Sequence, residues 1–328
     1  MRVAVASEAW NNPKTLGMYL ATNAILVAAQ EAGVEAYPLP LASHYGSSVG
    51  GLIGPAFQQI FRGYGVPDLV HQTSLAVRHG VDVAMVQDLY PFQGRRVADR
   101  FFVWQTRLAV RRARRVVVTT EWMRGELIRL FPQYAEKFRT IALPHEIPPW
   151  NRSVEPRYEA LWIGRIAPNK DPEMYLSLAA AFPTLRFAMR SSPSPGRDSQ
   201  AQAVEATRAS MSNVVALPRL SEAQKDELYR SAAILVSTST YEGFHAPAME
   251  AYIRGVKLVL PFIEPYIGLY GERPPNVFWY KSRDLHSLIS TFGDAHLAAG
   301  VPPSPEVLAK VGFSTVGAKL RALYEELA

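Results

Sequence analysis

Short apolar runs alternate along this chain with longer stretches in which apolar positions recur every three or four residues. Val3 to Ala6 is the first run; a helical period covers Leu16 to Ala32, Gly33 ends it, and Val34 to Pro38 is apolar again. Similar runs occur at Asp68 to His71, Val83 to Gln87, Val116 to Thr119 and Thr140 to Ala142. Pro40 to Pro67 reads as a loop, Gly-rich around Ser47 to Gly51, with a helix near Ala56 to Arg62. The design then repeats, with strands expected at Ala160 to Ile163, Arg186 to Met189, Val214 to Ala216, Ala233 to Val236 and Lys257 to Leu260. Brief apolar strands separated by helical periods predict the α/β class, with parallel sheets covered on both faces. Pro144 to Trp150, with Pro148 and Pro149 adjacent, reads as a linker. It divides the chain into domains at 1–149 and 150–312, followed by a helical tail within Pro305 to Ala328. Ser221 with Gln224 has the spacing of a capping box for a helix through Ser231. No internal repeat is visible.

Two carboxylates stand out against this background. Glu242 and Glu250, with seven residues between them, lie where the strand at Ala232 to Val236 hands over to a helix. Pro247 suits the first turn of that helix, and Glu250 is expected in the same turn. The amides of Phe244, His245 and Ala246 would then begin the helix without intrahelical acceptors, which offers an anion site flanked by carboxylates. A phosphate between two hydroxyl-binding acids describes a nucleotide sugar. The same residues also fit a solvated turn and a helix-dipole partner.

Upstream, an apolar strand is expected to end at Gly164, with Arg165 and Lys170 following in a loop before a helix near Pro172. Two preorganised cations suit a departing diphosphate, whose oxygens gain charge as the glycosidic bond breaks. Read alone, an Arg and a Lys in a loop are also ordinary surface charge. Ligands of such sheets bind outside the carboxyl ends of the strands, where both motifs fall.

The order of these motifs resembles that of the retaining GT-B glycosyltransferases of the family-4 type. It comprises Gly164-Arg165, four residues, Lys170, then the segment Leu220 to Ala232, then Glu242 to Ala251 as Glu-Gly-Phe-x-x-Pro-x-x-Glu-Ala. The resemblance is carried by residues 155 to 285, and more weakly by Asp68 to His71, Val83 to Phe92 and Val116 to Glu121. It implies two Rossmann-like domains facing each other across a cleft, the donor domain being the second. The last helix, about 313–328, is expected to return to the first domain. It further implies a hexosyltransferase that moves a sugar from a nucleotide-diphosphate sugar to an acceptor hydroxyl with retention at the anomeric carbon, the leaving phosphate helping to deprotonate the acceptor.

By that resemblance Arg165 and Lys170 hold the donor diphosphate, Glu250 the ribose hydroxyls and Glu242 the transferred sugar. Gly164, Arg190, Arg219, Leu220 and the Gly243, Phe244, His245, Ala246 segment complete the donor side. Asn11, Asn12 and Lys14, after the first strand, and Gln87, Asp88 and Tyr90, after a later one, are the acceptor-side candidates. The chain departs from the pattern in four places: His245 and Asp171 stand where Gly is usual, Gln87 stands where His is usual, and Ser191-Ser192-Pro193 follows Phe187 to Arg190 in place of a Gly-rich turn. No metal or other cofactor is expected, and no Asp-x-Asp donor-metal motif is present. The acceptor is expected to be a carbohydrate, glycan or lipid-linked molecule. A sugar-nucleotide epimerase or phosphorylase, and a non-catalytic scaffold of the same fold, remain as alternatives.

Composition narrows the field further. The chain has 328 residues, enough for two ordinary domains, and no cysteine, which excludes disulfides, thiolate metal sites and cysteine nucleophiles. No uncharged stretch approaches the roughly 20 apolar residues of a membrane span. The start reads as a strand and not a signal peptide because Glu8, Asn11 and Asn12 interrupt it, so a cytoplasmic protein is expected. The first 150 residues hold 16 Lys and Arg against 11 Asp and Glu, and eight arginines between Arg95 and Arg115 account for the excess. Over Val97 to Arg115, Phe101, Trp104 and Leu108 share one helical face while Arg107, Arg111 and Arg114 share another. This segment has two readings: a basic amphipathic helix in peripheral contact with an anionic membrane, or a helix whose apolar face joins the core while its arginines are solvated. Nucleic acid is not an expected partner, because no reading element accompanies the charge. Lone histidines His71, His79 and His145 lack metal spacing and are expected to be structural.

Overall fold

The computed structural model describes residues 1–11, 16–41, 66–73, 81–94, 97–149, 155–194, 197–218 and 221–328. The helix expected near Ala56 to Arg62, together with Asn12, Lys14, His79, Arg95, Arg219 and Leu220, lies outside the described residues. Two compact units are formed, Met1–Glu146 with Ala309–Ala328, and Ile147–Leu308.

In the first unit the apolar runs become strands β1 (Arg2–Ser7), β2 (Glu35–Pro40), β3 (Leu69–Gln72), β4 (Val83–Val86), β5 (Arg115–Val118) and β6 (Phe138–Thr140). They form one parallel sheet in the order β2-β1-β3-β4-β5-β6. Helices α1 (Leu16–Glu31), α2 (Val97–Arg112) and α3 (Glu121–Leu130) lie between strands in sequence. Every residue of β3 and β4 is buried, as expected of strands covered on both faces. Gly33, at φ +80, ends α1 in a left-handed conformation that costs glycine nothing. Strand β6 lies two residues earlier than its apolar run suggested, because the buried Phe138 supplies the inward anchor and pairs with Val116.

Helix α2 corrects the reading in which its aromatic face joins the core. Among its described side chains Asp99, Thr106, Ala109 and Val110 are buried, as is Ala113 just past its end, while Phe101 and Trp104 are each 54% exposed. Small side chains let α2 lie close against β4 and β5, and that choice turns the bulky residues outward. Lys137 fixes the end of the helix by donating to the carbonyls of Val110, Arg111 and Ala113 at 3.0–3.2 Å.

The second unit contains β7 (Tyr158–Ile166), α4 (Pro172–Ala181), β8 (Phe187–Pro193), α5 (Asp198–Ala209), β9 (Val214–Ala216), α6 (Glu222–Arg230) and β10 (Ala232–Val236). It continues with α7 (Ala246–Tyr252), β11 (Lys257–Pro261), α8 (Glu264–Tyr270), β12 (Val277–Tyr280) and α9 (Leu285–Leu297). Its parallel sheet runs β12-β11-β10-β7-β8-β9. One face of that sheet buries Trp162, Met189, Ile234 and Val236 together with Tyr175, Phe187 and Phe292. Strand β7 does not end at Gly164 as expected; it pairs with β8 through Ile166, opposite Pro193, so Arg165 is a strand residue. Strand β12, a partly buried aromatic run beside β11, has no counterpart among the sequence expectations. Ser221 and Gln224 form the capping box of α6, their side chains accepting reciprocally from Gln224 and Ser221 amides.

The tail is two helices, α10 (Pro305–Val311) and α11 (Phe313–Leu327), separated at Gly312. Helix α11 packs on α1 of the first unit, so closely that a Cβ at Gly317 would collide with the Ala28 carbonyl oxygen. Tyr324 hydroxyl bonds His71 Nδ1 at 2.7 Å, and Glu326 accepts from Arg115 and Arg139. Burial lowers the His71 pKa to about 3, so the ring is a neutral structural group. Among the described residues no helix is long and apolar enough to cross a membrane.

Candidate active site

In the second sheet β7 and β10 are neighbours although they are the first and fourth strands of their unit. The chain winds away from β7 in one direction and then in the other, which makes this pair the topological switch point, where loops part and ligands bind. The loops leaving β7 and β10 carry Lys170 and Glu242.

Those loops are joined before any charge is considered. The Trp162 indole donates to Thr238 Oγ1 at 3.1 Å, and Thr238 donates to the Lys170 carbonyl at 2.7 Å. Gly164 leaves room for that indole, since a Cβ there would meet the ring at 2.9 Å. Thr240 amide donates to the Asn169 carbonyl at 2.8 Å, and Asn169 Nδ2 to the Tyr241 carbonyl at 3.4 Å. Asp171 follows in a left-handed conformation, φ 44, and caps α4 by accepting from the Met174 amide. Aspartate tolerates this region better than most residues, and its capping bond offsets the strain that glycine would avoid.

Upon this frame Lys170 Nζ bonds Glu242 Oε1 at 2.5 Å, and Ser239 Oγ donates to the same oxygen at 2.6 Å. The Glu242 side chain is 7% exposed and that of Lys170 16%. Burial pushes the Glu242 carboxyl upward, but the adjacent Lys170 ammonium and the Ser239 hydroxyl outweigh it, leaving the pKa below the ordinary carboxylate value. Glu242 is therefore an ionised acceptor at neutral pH. His245 Nε2 lies 3.8 Å from it. The other ring nitrogen, Nδ1, pairs with Tyr266 hydroxyl at 2.7 Å, and Tyr266 in turn meets Ser237 Oγ at 2.9 Å. Burial lowers His245 to about 4, against the pull of Glu242, so the ring is neutral. His245 is also left-handed, φ 59, and precedes α7 as its cap residue without a side-chain capping bond.

Glu250 does not sit in the first turn of α7 as expected. The helix begins at Ala246, which makes Glu250 its fifth residue and directs the carboxylate to α6. There it accepts from Tyr229 hydroxyl at 2.6 Å and pairs with Lys225 at 3.2 Å. The two acids thus hold separate positions around α7, each with its own lysine. Gly243 and Phe244 are buried between them in sequence, and Ala246 is partly buried.

Arg165 and Arg190 occupy adjacent strands. Because Ile163 pairs with Arg190 and Arg165 with Ser192, the pleat puts both arginines on the sheet face opposite Trp162 and Met189. Arg165 is exposed, and neither arginine makes an ion pair among the described residues. The structure thus brings Lys170, Glu242 and Ser239 together, and sets Arg165 and Arg190 beside each other on neighbouring strands.

In the first unit Asn11 closes a single 3-10 turn, Glu8–Asn11, after β1. Gln87 donates to the Thr73 carbonyl at 3.0 Å, and Asp88 accepts from the Tyr90 amide at 2.7 Å, starting the turn Tyr90–Gln93. These three residues form one loop after β4. Sequence reading missed Trp162, Asn169, Thr238, Ser239 and Tyr266. A hydroxyl run, Ser-Thr-Ser-Thr at 237–240 directly after an apolar strand, was the available signal for two of them; Tyr266, on α8, had none.

The two sheets and their flanking helices define the GT-B fold, shared with glycosyltransferase structures that match over essentially the full chain. The chain is similar to sucrose-phosphate synthase from Thermosynechococcus elongatus at a TM-score of 0.73 and 14% identity, covering 100% of this chain and 99% of that one. It is similar to HepE from Anabaena, solved with UDP and glucose, at 0.71 and 14%, covering 99% and 100%. AviGT4, a glycosyltransferase involved in avilamycin A biosynthesis, matches at 0.64 and 14%, covering 100% and 98%. At such identities the shared property is the fold. No protein-family model matches this chain, and no curated protein matches its sequence.

Proposed function

We propose that this protein is a retaining glycosyltransferase of the hexosyltransferase type. It moves a sugar from a nucleotide-diphosphate sugar to a hydroxyl of a carbohydrate, glycan or lipid-linked acceptor. The observation that carries this reading is the buried Lys170–Glu242 pair at the β7/β10 switch point, built from residues 72 positions apart. The fold neighbours support it, since HepE was solved with UDP and glucose.

In this reading Arg165 and Lys170 hold the diphosphate, with Arg190 beside Arg165 on the same sheet face. Glu242 accepts from hydroxyls of the transferred sugar, and Glu250 from those of the ribose. The bond from the anomeric carbon to the phosphate oxygen breaks, the bond to the acceptor oxygen forms on the same face, and the leaving phosphate takes the acceptor proton. Charge gathering on that phosphate is met by the two cations, so the proposed reaction uses no metal ion. The loops carrying Asn11, Asn12, Lys14, Gln87, Asp88 and Tyr90 are proposed to take the acceptor.

The test is calorimetry of the full chain against UDP-, GDP- and ADP-linked sugars, followed by nuclear magnetic resonance of the product formed with the donor that binds. One nucleotide sugar should bind, and the product should keep the donor's anomeric configuration, with chelator present or absent. Binding of none would leave a non-catalytic scaffold, and conversion of the donor alone would leave an epimerase.

A further inference from the structure

Helix α2 places its chemistry the opposite way round from a helix that covers a core against water. Its inner face is small or polar: Asp99, Thr106, Ala109, Val110 and Ala113 are buried. Its outer face carries Val97, 83% exposed, with Phe101 and Trp104, and the two rings stack at 5.6 Å with an interplanar angle of 28°. At 100° per residue, Val97, Phe101, Trp104 and Leu108 form one stripe, with Arg100, Arg107 and Arg111 along one border and Arg112 along the other. None of these four arginines makes an ion pair among the described residues, and Asp99, the acid of the helix, is turned inward.

We propose that this face docks the protein onto an anionic phospholipid bilayer. Exposed indole and phenyl rings flanked by guanidinium groups that have no ion pair among the described residues match the boundary between headgroups and acyl chains, where an aromatic body is buried and cations meet lipid phosphates. A protein partner would match the rings but leave four cations to be neutralised; an anionic bilayer answers both. The helix is already folded and its carboxyl end is held by Lys137, so docking does not require ordering a flexible segment. No residue of α2 belongs to the sugar site, and the docking proposal stands whatever that site does.

The experiment is cosedimentation of the full chain with vesicles of phosphatidylcholine alone or mixed equally with phosphatidylglycerol. The mixed vesicles should bind far more tightly, and binding should weaken with salt. Phe101→Ala with Trp104→Ala should lower the affinity at least about tenfold. Arg107→Gln with Arg111→Gln should lower it roughly 25-fold, about fivefold for each charge near the surface. All four side chains point away from the core, so melting and circular dichroism should match the parent. Leu297→Ser, at an 84% exposed residue of α9, should leave vesicle binding unchanged. Equal binding to neutral and mixed vesicles, parental affinity in either double variant, an equal loss with Leu297→Ser, or stronger retention on a single-stranded oligonucleotide than on vesicles would overturn the proposal.

Discussion

Arg165 and Lys170 are both cations of the proposed donor site, yet they differ in what else depends on them. Arg165 is exposed and unpaired among the described residues, so Arg165→Ala should cost about 10²–10³ in kcat, with an unchanged melting temperature. Lys170 neutralises a buried carboxylate, so Lys170→Met should both abolish turnover and destabilise the fold by roughly 3–5 kcal/mol. Adding Glu242→Gln should return most of that stability and none of the activity. Equal melting of the two single variants would contradict the buried pairing. His245 offers a second contrast at this scale. Its left-handed backbone costs roughly 1–2 kcal/mol for a residue with a side chain, and glycine escapes that cost. His245→Ala keeps the strain and loses the Tyr266 bond, whereas His245→Gly loses the bond and the strain together. Chemical denaturation should therefore find the glycine variant more stable than the alanine one by about 1 kcal/mol.

Between α1 and α11 the contact is close enough that one methyl group decides it. Gly317→Ala should destabilise the first unit by roughly 1–3 kcal/mol through the clash with the Ala28 carbonyl, readable as a lowered melting transition. At this scale the chain was largely legible. Strands such as β4 and β10 are buried along their whole length, so continuous apolar runs announced them, and the Ser221 capping box is a purely local signal. What escaped has physical reasons. β12 is a half-exposed strand whose pairing with β11 is tertiary. Glu250 falls just past the first turn because the helix starts at Ala246, one residue ahead of Pro247, and a residue's distance from a helix start changes its neighbours. The positive φ of Asp171 and of His245 is a backbone property that neither side chain announces. The apolar stripe of α2 was visible as periodicity, but which side faces the sheet follows from side-chain size, and the small residues won. For the candidate site, the motifs were visible, whereas the meeting of Lys170 with Glu242 needs β7 beside β10. That adjacency comes from the winding of the whole unit.

The largest effects of pH belong to the whole molecule. His71 in the first unit and His245 in the second are held neutral by burial, at about 3 and about 4 against an ordinary 6.5. Above pH 6.5 neither costs stability. Below it the unfolded chain takes up protons that the folded chain refuses, so each unit should lose about 1.4 kcal/mol per pH unit until its own histidine titrates. The depressed Glu242 carboxyl acts with the same sign at lower pH. Urea midpoints measured from pH 7 to pH 5 should fall, and His71→Gln should flatten the response of the first unit; midpoints that do not move would contradict the buried neutral rings. The return of α11 has a further consequence. His71, Ala28, Arg115 and Arg139 await partners that the ribosome delivers only after the entire second unit has emerged. The first unit is thus begun before the second and completed after it, and until α11 is synthesised it must keep the flank of α1 open.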